Sequence, residues 1–207
     1  MPNESLSDYE HDAVDSAERL RAAYGEPSQI VIDKVADHVD ATMARFIGAA
    51  SLVMIGSRGR DGRMDVTPRG GAPGFVRVLG ERLIALPDLA GNRRIDTLLN
   101  VAETGRVGAL FLVPGRAETM RVNGRARISM RPELLDRLRV DGKPPVSALL
   151  VEPEEVYLHC PRSLTFSNAW KPAEWLGPEG APSLKEMIEA RRAAVERERA
   201  AALPAGT

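Results

Sequence analysis

The spacing of apolar residues changes near residue 50. Upstream it is helical. Residues 7–24 read as a helix, because Ser7 and Glu10 have capping-box spacing and the run stops at Tyr24-Gly25-Glu26-Pro27. A second helix is expected over 28–47 with Ser28 as N-cap, since Val31, Val35, Val39 and Met43 recur every four residues. Ile32 and Phe46 widen that face, and Gly48 is the stop signal. From Ser51 the period is that of strands. Ser51–Ser57 is a short apolar run, Asp61-Gly62 a hairpin signal, and Met64–Pro68 the returning partner. After a turn at Pro73-Gly74, Phe75–Leu79 and Arg82–Leu86 form a second hairpin around Gly80-Glu81. A loop from Pro87 to Arg94 opens into a helix over Ile95–Thr104. Val107–Val113 reads as a buried strand and Thr119–Met130 as an alternating one, with Asn123-Gly124 a hairpin turn by local rules. Leu134–Leu138 is a short helix, and Val146–Tyr157 the last strand region, broken at Pro153. Residues 161–182 are an ordered arm whose Trp170 and Trp175 call for burial. Ser183–Ala202 is a solvated helix with a capping box from Ser183 to Glu186.

The predicted architecture is therefore mainly β, an antiparallel core with peripheral helices. One domain spans 1–207, with N-terminal helices over 1–48, the core over 49–160, and an arm and helix over 161–207. Closing the core into a barrel would remove its open edges.

Composition narrows the function classes. With Lys+Arg 28 against Asp+Glu 29, the net charge of −1 lacks the basic field of a nucleic-acid binder. No apolar stretch of about 18 residues exists, so no membrane span is expected, and the polar, acidic N-terminus is not a signal peptide. Cys160 is the single cysteine, which excludes an internal disulfide framework and fits a reducing, cytoplasmic setting. The cations are 24 arginines against 4 lysines. A GC-rich coding sequence accounts for most of that bias, and position decides which arginines hold anions.

The chemistry-bearing segment is 84–99, IALPDLAGNRRIDTLL. A strand ends at a Pro-Asp corner, and a Gly-Asn turn is followed by Arg93 and Arg94 at a helix start. Free amides and the helix dipole favour an anion there, whereas two cations at that end are unfavourable unless an anion is bound. A solvated arginine pair answering Asp96 or Asp88 is the plain alternative. The preceding strand end, Val66-Thr67-Pro68-Arg69-Gly70-Gly71, adds a hydroxyl, a rigid corner and a further arginine, close to the Pro87-Asp88 corner if the hairpins stack. Together these groups would offer a flat polar ring a threonine, an arginine and backbone contacts, with a phosphate on Asn92, Arg93 and Arg94.

The string DGRMDVTPRGGAPGFVRVLGERLIALPDLAGNRRIDTLLNVAETGRVGALFLVPGRAETMRVNGRARIS resembles the FMN-binding split barrels of the pyridoxamine 5'-phosphate oxidase superfamily, in particular its uncharacterised FMN-dependent branch. The resemblance covers roughly residues 30–160. It implies a six-stranded antiparallel split β-barrel and a homodimer with FMN at the subunit interface. It further implies that Arg69 stands near the flavin ring and that Val66, Thr67 and Pro68 flank it. Pro87 and Asp88 would face the flavin, and Asn92, Arg93 and Arg94 would clamp the phosphate, with arginine in place of the family's lysine. It also makes MRVNGRARIS one bent strand with a bulge at Gly124. Residues 161–182 do not carry the substrate-binding pattern of true pyridoxamine phosphate oxidases, which argues against vitamin B6 oxidation. His159-Cys160-Pro161-Arg162-Ser163 instead resembles the ending of the uncharacterised branch.

Three candidates remain for substrate contact: Arg162, Ser163 and Trp170. Cys160 is a small core residue or a thiol beside the flavin. His159 and Cys160 are adjacent and face opposite sides of a strand, and His11 and His38 lack partners at ligand spacing, so no metal site is expected. The sequence reading is an FMN-dependent oxidoreductase acting on a small molecule. The alternatives are a non-catalytic flavin- or haem-binding barrel, with His159 the one histidine in the barrel region, or a deazaflavin-dependent reductase.

Overall fold

The alternation that begins at Ser51 becomes seven strands in the computed structural model, which describes residues 4–202. They are β1 (Leu52–Arg58), β2 (Met64–Gly70), β3 (Arg77–Gly80), β4 (Leu83–Asp88), β5 (Arg106–Leu112), β6 (Thr119–Ser129) and β7 (Ser147–His159). All neighbours pair antiparallel, in the order β2-β1-β5-β6-β7-β4-β3. The sheet thus has seven strands where the family resemblance implies six, and no pairing joins β2 to β3. The Arg69 guanidinium on β2 nevertheless lies 3.2 Å from the Asp88 carboxylate at the end of β4. The sheet curls far enough for side chains to bridge a split that backbone hydrogen bonds leave open.

Chain division by contacts gives two compact units. The first runs to Pro114 and includes Glu118–His159; the second comprises Gly115–Ala117 and the chain from Cys160. Within the first unit, the expected helix over 7–24 is instead a 3-10 turn, Leu6–Asp12, followed by α1 (Ala17–Tyr24). The capping box belongs to Ser5 and Asp8, not Ser7 and Glu10. The expected helix over 28–47 is also two pieces, α2 (Gln29–Asp33) and α3 (Ala41–Ala49). Ser28 precedes α2 without a side-chain cap, whereas Asp40 caps α3 by accepting from the Met43 amide at 2.7 Å. Between them Ala36 exchanges two backbone hydrogen bonds with Val156. The four-residue apolar spacing therefore marks no single face: Val39 is buried, while Val31 and Val35 are exposed.

The core lies inside the curl. Val53 and Ile55 on β1, Phe111 on β5 and Val122 on β6 are all but inaccessible, and Ile47 of α3 and Val101 of α4 (Asp96–Thr104) pack against them. β1 buries every second residue, as a strand with one covered face must. A smaller cluster forms where Leu138, just past α5 (Pro132–Arg137), meets Ala85 and Ala148.

β6 is one continuous strand with a register shift at Asn123/Gly124, as the resemblance implies and the local turn rule does not. A Cβ at Gly124 would lie 2.1 Å from the Glu152 carbonyl oxygen, so the two backbones close on a position only glycine fills. Pro153 lies opposite this bulge without interrupting β7. β4 pairs only with Ser147–Val151, so β7 needs no second ladder partner at the proline.

The second unit contains α6 (Arg162–Phe166), two short 3-10 turns and α7 (Leu184–Ala202), whose entry is capped by reciprocal bonds between Ser183 and Glu186. Its tryptophans are less buried than their size suggests. Trp170 is half-buried and donates to the Arg116 carbonyl at 2.7 Å, and Trp175 is exposed and donates to that of Asn168 at 3.0 Å. No described helix is long and apolar enough to cross a membrane.

Candidate functional site

β2 reverses the usual pattern of a half-buried strand. Asp65, Thr67 and Arg69 are half-buried on its inner face, while Met64 and Val66 are 68% and 67% exposed on the outer. Polar groups turned inward on an edge strand require partners, and they find them. Thr97, itself buried in the first turn of α4, donates to the Asp65 carboxylate at 2.5 Å. Arg69 donates from Nη1 to Thr67 Oγ1 at 2.9 Å and to the Pro68 carbonyl at 3.1 Å, and from Nε to Asp88 Oδ1 at 3.2 Å. The guanidinium is thereby fixed in orientation, and its pairing with Asp88 is itself largely withdrawn from water.

The loop between β4 and α4 supplies the second half. Ile95 occupies the N-cap of α4, where it offers no side-chain acceptor, so the first amides of the helix keep their donors unused by a cap. Asn92 Oδ1 accepts from the Arg94 amide at 2.9 Å, which folds the turn, and Arg93 takes a left-handed φ of 65°. Arg94 is paired with Asp96 at 2.9 Å, as the plain alternative allows, whereas its other named partner, Asp88, belongs to Arg69. Arg93 forms no ion pair among the described residues. A loop bearing an unpaired cation, beside uncapped helix amides, is chemically able to accept an anion.

Two adjoining hollows meet at this loop. One, of about 820 Å³, is bounded by the Pro87–Ile95 segment, by α4 through Leu98 and Leu99, and by the ends of β6 and β7. The other, of about 390 Å³, is a polar cleft between β2 and the head of α4, floored by Asp65, Thr67 and Thr97. Arg69, Asn92 and Arg94 line both. Of the residues singled out in the sequence, Arg69, Pro87, Asp88, Asn92, Arg93 and Arg94 border the larger hollow, and Val66 and Thr67 the smaller. Pro68 lines neither, and only its carbonyl takes part, through Arg69.

Arg162, Ser163 and Trp170 lie in the second unit, the first two opening α6. His159 ends β7 opposite Thr119, and no histidine lines either hollow. Among the described residues no cluster of His, Cys, Asp or Glu could hold a metal ion.

The sequence reading missed the apolar half of the larger hollow, Phe75, Leu98, Ile128 and Met130, and it missed Ser147. Ser147 opens β7 directly opposite Asp88, is 4% exposed, and its hydroxyl has no hydrogen-bond partner among the described residues. A serine in a proline-flanked strand start carries no sequence signal; only its burial distinguishes it.

No curated protein matches the chain. Among solved structures, HupZ of Group A Streptococcus is similar at 13% identity and a TM-score of 0.47, over 57% of this chain and 93% of that one. An FMN-binding protein from Syntrophomonas wolfei is similar at 14% and 0.43, over 69% and 96%. General Stress Protein 26 from Bacillus anthracis is similar at 13% and 0.41, over 55% and 87%. The family model for pyridoxamine 5'-phosphate oxidase matches residues 39–160, which hold the whole sheet, the arginine loop and both hollows. The chain therefore belongs to the pyridoxamine 5'-phosphate oxidase family.

Proposed function

We propose that this protein is an FMN-binding flavoprotein, active as a homodimer, that passes reducing equivalents between a reduced donor and a small organic molecule. The observation that carries the reading is the convergence at one place of an unpaired arginine, uncapped helix amides and an oriented arginine–carboxylate pair. The donor set fits the cofactor. Asn92, Arg93, Arg94 and the first amides of α4 suit a phosphate. Thr67, Arg69 and the backbone from Val66 to Pro68 suit the polar edge of a flat heterocycle, with Pro87 and Asp88 on the facing strand end. When bound, FMN supplies hydride and electron transfer, which no side chain here provides.

The chain's own residues would hold and orient. Arg93 and Arg94 would fix the phosphate end. Arg69, already aligned by Thr67 and Asp88, would place positive charge where a reduced ring gathers negative charge. The homodimer is supported by apolar surface that the folded chain leaves uncovered. Met64 and Val66 face outward on β2, and Leu99, Met130 and Val146, each more than half exposed, rim the larger hollow. Family membership favours a flavin over haem, and so does the lack of a histidine among the residues lining either hollow.

The test is the absorption spectrum of the purified protein, with the released ligand identified by mass. A flavin spectrum and released FMN support the reading. Reduction by NADH or NADPH, followed by reoxidation with oxygen or a quinone, then separates an enzyme from a flavin carrier. A colourless protein that takes up no added FMN overturns it. A Soret band moves the assignment to haem, and uptake of a deazaflavin in place of FMN moves it to the related reductases.

A further inference from the structure

We propose that Ser147 is the polar anchor of a substrate subsite in the apolar half of the larger hollow, built for a neutral, mostly apolar molecule bearing one carbonyl group. The inference rests on the flavin reading for its place in the reaction, but its evidence is separate.

Ser147 and Asp88 are cross-strand partners, so their side chains project from the same face of the sheet, and both border the hollow. Asp88 Oδ1 accepts from Arg69 and offers Ser147 no bond in this structure. The Ser147 hydroxyl is the one buried side-chain polar atom without a partner among the described residues. Such a group weakens the fold, and alanine would fit the same space. A hydroxyl that turns about χ1 beside a hollow is, by contrast, ready to bond whatever enters.

The surrounding walls define the guest. Phe75, Leu98, Ile128 and Val146 present hydrocarbon. The charges that line the hollow are gathered at the loop end, where Arg69 is already engaged by Asp88 and where Arg93 and Arg94 are assigned to the phosphate. A charged guest would be desolvated against these walls without a counter-charge, whereas a flat apolar carbonyl compound would lose nothing but water and would gain the serine bond.

Menadione serves as the probe, titrated by equilibrium dialysis into the full-length protein with and without FMN. Three proteins are compared: wild type, Ser147→Ala, and Ala102→Trp, which fills the hollow from the exposed side of α4. FMN affinity and melting temperature are measured alongside. The expected result is saturable menadione binding to wild type, weakened about three- to tenfold in Ser147→Ala with FMN affinity unchanged, and lost in Ala102→Trp. Ser147→Ala should also melt higher than wild type when empty, because the orphan hydroxyl is gone. Equal menadione affinity in wild type and Ser147→Ala, or no saturable binding to wild type, overturns the subsite even if FMN binds normally. Serine-dependent menadione binding by a protein that takes no FMN overturns the flavin reading and supports the subsite.

Discussion

Replacing Arg93 and Arg94 together by alanine separates a binding role from a structural one. Arg93 makes no ion pair among the described residues, so its loss breaks none of theirs. Arg94 loses one pairing with Asp96, in which the arginine side chain is 78% and the aspartate 47% exposed. A pair that open to solvent is worth at most about 1 kcal/mol. The melting temperature of the empty protein should therefore move by no more than a few degrees. Binding should respond very differently. Each charge-assisted hydrogen bond to a phosphate contributes about 1.5–3 kcal/mol, so losing two weakens FMN by about 3–6 kcal/mol, or roughly two to four decades in Kd. Quenching of FMN fluorescence on titration gives the affinity, and differential scanning calorimetry the stability. A double variant that binds FMN within about threefold of wild type would refute the phosphate assignment, since the two arginines would then be the solvated pair of the plain reading.

Other perturbations address the frame. Gly124→Ala must push the Glu152 carbonyl from 2.1 Å to contact distance, and should cost about 1–3 kcal/mol by denaturant titration while leaving the FMN site composed as before. Val66→Glu places a charge on the outward face of β2 and should convert the proposed dimer to monomer in light scattering, with FMN affinity falling in step if the partner completes the site. The Asp37 carboxyl is pushed down to a pKa of about 2, first by its hydrogen bond to His38 and then by Arg82. Its folded pKa is depressed, so the tether between residue 37 and the β3–β4 hairpin is present above about pH 4 and is lost as pH falls towards 2. Amide exchange over 34–40 should quicken across that interval in wild type, and Asp37→Asn should flatten the pH dependence.

The strands and the arginine loop were legible because each carries its own local signal. A short apolar run marks β1 and alternation marks β6, Asp61-Gly62 sits in the turn between β1 and β2, and arginines at a helix head conflict with the dipole. What misled was periodicity without burial. Val31, Val35, Val39 and Met43 fit a helix face, but Asp40 starts a new helix and Ala36 is taken up by β7, so the apparent face is cut in two. The capping pattern of Asp40 with the Met43 amide was the available clue. At Asn123-Gly124 the local turn preference lost to tertiary packing, since a bulge against Glu152 and a hairpin tip both favour glycine. Ser147 lay beyond reach for a different reason. Its meaning depends on a missing hydrogen bond, and an absence in space leaves no trace along a chain.

The split in the sheet is spanned by Arg69 and Asp88, and the same two side chains border the larger hollow. If the hollow holds the proposed ligand, a clasp made from its lining ties occupancy to the spacing of the strands it joins. Any guest that competes for the guanidinium loosens the seam, and any guest that bonds both partners at once tightens it. By reciprocity, whatever opens or closes the seam between β2 and β4 must alter affinity in turn. The curled sheet would thereby be a gauge of its own occupancy, readable as faster or slower amide exchange along β2 and β4.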